Sequence, residues 1–245
     1  MAKPFLISAV AGLTAFALTV PTFAEERQLD LAPFHEVKMA TGLVATVTRG
    51  SEQSVLVTYE GNWPDDLKIE VNDGALSARY EGGLFDFITG GGLIGMIFGR
   101  DRKDVSIQIT IPGLTAVAAS SGSVIKADVM SGDEVSAESS SGSSISVDRV
   151  EADILDMVAS SGSSLTVSGT CRELVAKTSS GAQSNGDGLV CSEADISASS
   201  GSRASAGVED SIAGSASSGA QIIVIGDPPV SDISASSGGG ISFRD

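Results

Sequence analysis

The tripeptide Ser-Ser-Gly recurs seven times between residues 120 and 238, with glycines at 122, 142, 162, 181, 201, 219 and 238. The steps between them are 20, 20, 19, 20, 18 and 19 residues. A recurrence near twenty marks an architecture in which each repeat is one structural unit stacked on its neighbours. Columns of residues become visible once the repeats are aligned on the glycine. Three before it stand Ala119, Ser139, Ala159, Thr178, Ala198, Ala216 and Ala235. One before it is always serine, from Ser121 to Ser237. Three after it stand Ile125, Ile145, Leu165, Ser184, Ala204, Ile222 and Ile241, and five after it Ala127, Val147, Val167, Gly186, Ala206, Val224 and Phe243.

These positions share one parity, so an extended strand places them on one face. The opposite parity in the second repeat reads Glu138, Ser140, Ser144, Ser146 and Asp148, a solvated face. Alternation locked to the longer recurrence predicts an all-β fold: a single-stranded parallel β-helix, or β-solenoid, right-handed, with about seven regular coils of 18–20 residues and an irregular N-terminal β region. The serine before each glycine is expected to point inward and stack at about 4.8 Å per coil. The glycine is expected to supply a bend with φ > 0. A flexible Ser/Gly linker is the competing reading. A linker has no reason to keep Ile and Val in phase with its glycines.

Residues 1–24 have the layout of a secretory signal: Lys3, an apolar run from Phe5 to Val20, and a small-x-small site at Thr22-Phe23-Ala24. Residues 25–33 then read as a tail, and 34–245 as one solenoid domain. Within it, 34–112 form irregular coils or a cap and 113–245 the regular coils. Without Lys3 the charge is 14 − 31 = −17, which argues against nucleic acid or an anionic lipid surface as partner. Nothing after residue 24 reads as a transmembrane span.

Cys171 and Cys191 are twenty residues apart, one coil, at nearly the same phase. Adjacent coils bring such residues within disulfide range, and an exported chain meets an oxidising compartment. A coil-to-coil disulfide is expected, with two free buried thiols as the alternative.

The N-terminal part alternates as strands: Val37 to Met39, then Leu43, Ala45 and Val47 around Thr41-Gly42, which resembles the repeat's own turn. Further strands are expected at Ser54–Tyr59, Leu67–Val71, Ala75–Tyr80 and Asp104–Ile111, with Asn72-Asp73-Gly74 as a hairpin turn. Residues 81–103 interrupt the pattern with an apolar, glycine-rich insertion. Its Leu84, Phe85, Phe87, Ile88, Leu93, Ile94, Met96, Ile97 and Phe98 are candidates for membrane or partner contact, against a plain insertion folded over the solenoid's end or flank, or a disordered one. Near the C-terminus, Asp227-Pro228-Pro229 is expected to turn between the sixth and seventh coils. The strand holding Ile241 and Phe243 is expected to be an edge, either open to pairing with another molecule or blunted by the terminal charges Arg244 and Asp245.

Signals for catalysis are weak. His35 is the only histidine and sits in an early strand. The serines are explained by the coil template. Asp86, Asp101, Asp128, Asp148, Asp153, Asp156 and Asp187 read as scattered over the repeat's phase. The Gly-Gly-x-Gly-x-Asp nonapeptide of calcium β-rolls is absent, and Gly90-Gly91-Gly92 lacks the lysine of a phosphate loop. No catalytic residue, cofactor or metal is expected.

A wider resemblance rests on three further motifs. Phe34, Val37, Gly42 and Val47 fit an F-x-x-V-x-x-x-x-G-x-x-x-x-V opening; Asp73, Gly74 and Leu76 fit a D-G-x-L strand pair; Ile109-Thr110-Ile111-Pro112-Gly113-Leu114 fits an I-T-I-P-x-L junction. Together with the S-G-S repeats, from Leu29 to Asp245, the chain resembles the exported bacterial proteins described as autotransporter adhesin head GIN domains. The apolar stretch at 84–98 has no counterpart in that pattern, nor is there a C-terminal run that would make an autotransporter barrel. The resemblance implies a β-solenoid and an adhesin-like role without established catalysis. The expected function is a non-enzymatic, exported binding or structural module at the cell envelope, periplasmic or on the surface, that meets an envelope glycan or protein. A polysaccharide-active β-helix enzyme and a membrane-associated periplasmic factor using 84–98 are the alternatives.

Overall fold

The computed structural model describes residues 24–81 and 105–244. Every regular element in them is a β-strand, sixteen in all, in one continuous sheet that wraps around a core. The central strands are β9 (Val124–Ser139), β10 (Ser144–Ala159), β11 (Ser164–Thr178), β12 (Gln183–Ala198) and β13 (Arg203–Ala216). Each is long enough to run out along one face, bend, and return along the other. All pair in parallel, in register, one repeat to the next: Ile145 lies beside Ile125 and Leu165, Met157 beside Ala137 and Ala176. One repeat is therefore one coil. The seven Ser-Ser-Gly turns bound six complete coils, a little short of the seven expected.

The parity argument holds along the strands. Ile125, Ile145, Leu165, Ala204 and Ile222, three after the glycine, are all within 1 % of full burial. The bend opposite the turn is where the ladder slips, between Val147 and Val150, and between Thr166 and Ser168. Small residues allow the close approach there: a Cβ on Gly169 would run into the backbone of Val150. In the sixth coil Pro228 and Pro229 cannot donate to a ladder. The strand is accordingly split into β14 (Gln221–Ile225) and β15 (Val230–Ala235), and β16 (Gly240–Arg244) follows the last turn.

The N-terminal region builds a cap whose spatial order differs from its sequence order. β2 (Glu36–Met39) and β3 (Val44–Arg49) form a coil with Thr41-Gly42 as its turn; they pair in parallel with β8 (Ala116–Ala119) and with β9. The next coil, β6 (Ala75–Tyr80) and β7 (Ser106–Ile111), lies outside this one, on the other side of β2 and β3. Antiparallel strands close the end: β5 (Leu67–Asn72) on β6 through the Asp73-Gly74 hairpin, β4 (Ser54–Glu60) on β7, and β1 (Ala24–Leu29) on β4. The expected tail at 25–33 is thus largely the edge strand β1. Glu25 accepts a hydrogen bond from the Tyr59 hydroxyl at 3.1 Å, and Arg27 lies 4.6 Å over the Trp63 ring. Burial and the Glu25 carboxylate hold the Tyr59 phenol above its ordinary pKa. Gln53 pins the strand-to-strand link, donating to Leu31 O and Ala32 O and accepting from Phe34 N–H.

Candidate binding surface

The turns form one long edge of the molecule. At each Ser-Ser-Gly the second serine and the glycine are both left-handed, with φ of 51° and 76° at Ser121 and Gly122 and closely similar values at the other six. Thr41 and Gly42 repeat this conformation in the cap. Two left-handed residues in succession make a type I′ turn, closed by Ser123 N–H on Ser120 O at 3.2 Å. The glycine amide then donates to the next coil, Gly122 N–H to Ser141 O at 3.1 Å and Gly142 N–H to Ser161 O at 3.1 Å. The turns are therefore stacked as regularly as the strands.

This geometry corrects one expectation. The serine before each glycine points to solvent, because the left-handed pair at the tip rotates it out of the core. At the turn the inward hydroxyls belong to the residue after the glycine: Ser123, Ser143, Ser163 and Ser202 are all at most 2 % exposed. Each is satisfied by structure. Ser143 Oγ donates to Ala119 O at 2.7 Å in the preceding coil and accepts from Ser140 N–H at 3.0 Å; Ser163 repeats both bonds with Ser139 O and Ser160 N–H. Such bonds remove the cost of burying a hydroxyl and make the column a fixed part of the core.

Beside this edge, on the outer surface of the returning strands, runs a shallow groove. One wall is the serine two before each glycine (Ser120, Ser140, Ser160, Ser179, Ser199). The floor is the residue four before it (Lys38, Ala118, Glu138, Val158, Lys177, Ser197). Two hollows, of about 380 and 210 Å³, share Val158 as a lining residue and follow one another along the coils. It offers the same hydroxyl and backbone positions once per coil, with charges of both signs sparsely placed.

The opposite edge, at the bends, has a different character. Asp128, Asp148 and Asp187 all stand six residues after their glycine, and Glu173 and Glu193 are ladder neighbours. These acids are gathered on the bend edge, whereas Asp153 and Asp156 stand eleven and fourteen residues after Gly142; counting from the glycine separates the two sets. Asp128 has a structural task, accepting the backbone N–H groups of Arg49 and Val129. Among the described residues no three His, Cys, Asp or Glu side chains come together to hold a metal ion.

The remaining candidates fall as follows. Cys171 and Cys191 are ladder neighbours with Cα atoms 4.5 Å apart, and their sulfurs are bonded. His35 packs over Gly74 with its side chain 58 % exposed, 4.0 Å from Glu36. It borders a cleft of about 730 Å³ between β1, β4 and the end of β7, walled by Leu29, Phe34 and Pro112. The expected signal segment, up to residue 23, and the apolar stretch 84–98 lie outside the described residues. The nearest described residues are Glu81 and Val105: β6 ends and β7 begins where a coil would carry its turn, with Tyr80 N–H on Thr41 Oγ1 at 2.8 Å. No helix of the described residues is long and apolar enough to cross a membrane.

A comparison with curated proteins returned no match. Solved structures share the fold. A "putative adhesin" from Bacteroides fragilis is 13% identical, covering 91% of this chain and 97% of that one, with a TM-score of 0.72. A "putative lipid binding protein" from Parabacteroides distasonis is 15% identical over 91% and 97%, with a TM-score of 0.66. A "putative adhesin" from Parabacteroides merdae is 14% identical over 91% and 96%, with a TM-score of 0.63. At these identities the likeness concerns the fold. The sequence itself matches a family model over residues 33–228, from the start of the cap to the sixth coil. The chain belongs to the family described as "Putative auto-transporter adhesin, head GIN domain".

Proposed function

We propose that this protein is an exported, non-enzymatic binding module of the cell envelope that holds an extended, repetitive partner, a glycan or a protein segment, along the groove beside its turns. The observation that carries the reading is the groove's regularity: one set of hydroxyl and backbone groups per coil, at about 4.8 Å intervals. A polymer laid along it gains many weak contacts in series, and affinity grows with the number engaged rather than with one deep pocket. The acidic bends make the two edges unlike, so a neutral or weakly charged polymer is favoured at the turn edge and an acidic one is repelled from the other. The disulfide and the family support export. The apolar stretch 84–98 is a second proposed contact, to a membrane or to the same partner. The flanking strands β6 and β7 meet at the turn edge, beside the groove.

The test is co-sedimentation of the purified protein with cell-wall glycan from its host, and attachment of cells lacking it. Val158→Arg and Ser179→Arg, which block the groove, are expected to weaken binding roughly tenfold, while Thr166→Arg on the other face leaves it unchanged. Equal binding by all three variants, or undiminished attachment by the deleted strain, counts against the reading. Loss of vesicle flotation on deletion of 84–98 tests the membrane contact separately.

A further inference from the structure

The last described coil repeats the columns beneath it but not their burial. Ile241 lies on Ile222, Phe243 on Val224 and Ala235 on Ala216. The lower three are at most 1 % exposed, whereas Phe243 is 48 % exposed, Ala235 is exposed and Ile241 is partly so. Among the described residues β15 pairs only with β13, and β16 only with β14. Backbone direction is also fixed. Gly240 N–H donates to Ala220 O, Arg244 O accepts from Gly226 N–H, and Ser236 N–H donates to Ala216 O. In a parallel strand alternate residues turn their backbone groups to opposite sides. The groups of Ile241 and Phe243 on β16, and of Ile233 and Ala235 on β15, therefore face away from the stack. Among the described residues two ladder edges are left without a neighbour, one on each face, with apolar side chains between them.

Another β-strand pairs such an edge along its whole length and at the same time covers the apolar side chains, which water does not. A single peptide strand fills one and leaves the other open. A second copy of this chain, turned about a two-fold axis parallel to the strands, fills both at once. Its β15 lies antiparallel to β16, and its β16 antiparallel to β15. One register sets inward side chains against inward side chains: Ile241 against Ala235 of the partner subunit, and Phe243 against Ile233 of the partner subunit. The same register sets Arg244 opposite Asp232 of the partner subunit on the outer surface. That position is a non-hydrogen-bonded one, where side chains approach most closely. Symmetry makes the charge pair twice.

We propose that the protein forms a closed tail-to-tail dimer through β15 and β16. Among the described residues the other end offers no equivalent match: its outer strands carry Glu25, Glu26, Arg27, Lys68 and Glu70, a run of charges that discourages edge pairing. Association therefore stops at two rather than running into a filament. The proposal does not depend on what the groove binds.

Sedimentation equilibrium of the full exported chain across the micromolar range tests it. The expected result is a monomer–dimer equilibrium. Phe243→Pro removes one outward N–H while leaving the bonds to β14, and is expected to abolish the dimer. Asp232→Arg alone and Arg244→Asp alone are each expected to weaken it roughly tenfold, by setting like charges opposite each other. An equimolar mixture of those two variants is expected to recover it. Unchanged thermal melts show that each variant is folded. A monomer at every concentration, growth beyond two, or a mixture no stronger than either variant alone overturns the proposal.

Discussion

Each turn asks three different things of three neighbouring residues. The glycine sits at φ near 70° with no atom within 4 Å of where a Cβ would stand at Gly142, so its necessity is conformational and not a matter of space. The serine before it is exposed at φ 53°, where a small polar side chain suffices. The residue after it must fill the core and bond the coil below. The sequence showed serine invariant before the glycine and variable after it, as in Ala182 and Ala220. Parity gave both positions the same face, so the invariant column looked like the interior one. What alternation could not carry was the rotation produced by two left-handed residues in succession. One residue in this edge is imperfectly matched. Thr178, 2 % exposed, has no hydrogen-bond partner for its hydroxyl among the described residues. Its counterpart Ser139 bonds Ser143 Oγ at 2.9 Å, but the residue in that place after Thr178 is Ala182. Thr178→Val is expected to stabilise the protein by about 1 kcal/mol, and Ala182→Ser to do so by supplying the partner. Chemical denaturation measures both, and a loss of stability in the two variants would refute this account of the site.

The coil is the element on which the rest depends, and it was legible because its length and its alternation agree. The same counting placed Cys171 over Cys191. Closing a loop of twenty residues restricts the unfolded chain, which by loop entropy is worth about 3 kcal/mol. A Cys171→Ala, Cys191→Ala double variant is expected to lose that much in a denaturant titration, with the fold retained because the strands on both sides stay paired. An unchanged midpoint would show that the bond adds nothing to a stack already held by its ladders. The cap was legible only in parts. Strand positions and the Asp73-Gly74 hairpin follow from local alternation and turn chemistry. That β6 and β7 lie outside β2 and β3 does not, since either order satisfies every strand's own pattern. Burial of Val37 and Ala45 from both sides decides it, and no single strand records which neighbour it has.

At the scale of the whole molecule, the regular stack makes a rod with two unlike edges, an acidic one at the bends and a hydroxyl-lined one at the turns. The groove was not legible as a groove. The outward residues beside the turns were visible as a polar row, but their concavity comes from the way the returning strand meets the stacked turns. The acidic edge is legible in the sequence only in part: Asp128, Asp148 and Asp187 share one distance from their glycines, while Asp153 and Asp156 do not. Both edges, and the open end proposed to pair, exist only if one repeat is one coil in strict register. Cysteine cross-linking across the outer face measures that directly. Ser144 and Ser164 are ladder neighbours, so Ser144→Cys, Ser164→Cys brings two α-carbons to about 5 Å. Ser144→Cys, Thr166→Cys sets them one full alternation apart. Rapid disulfide formation in the first variant and none in the second is the result the coil register predicts; preferential linking of 144 to 166, or no linking in either, would contradict it.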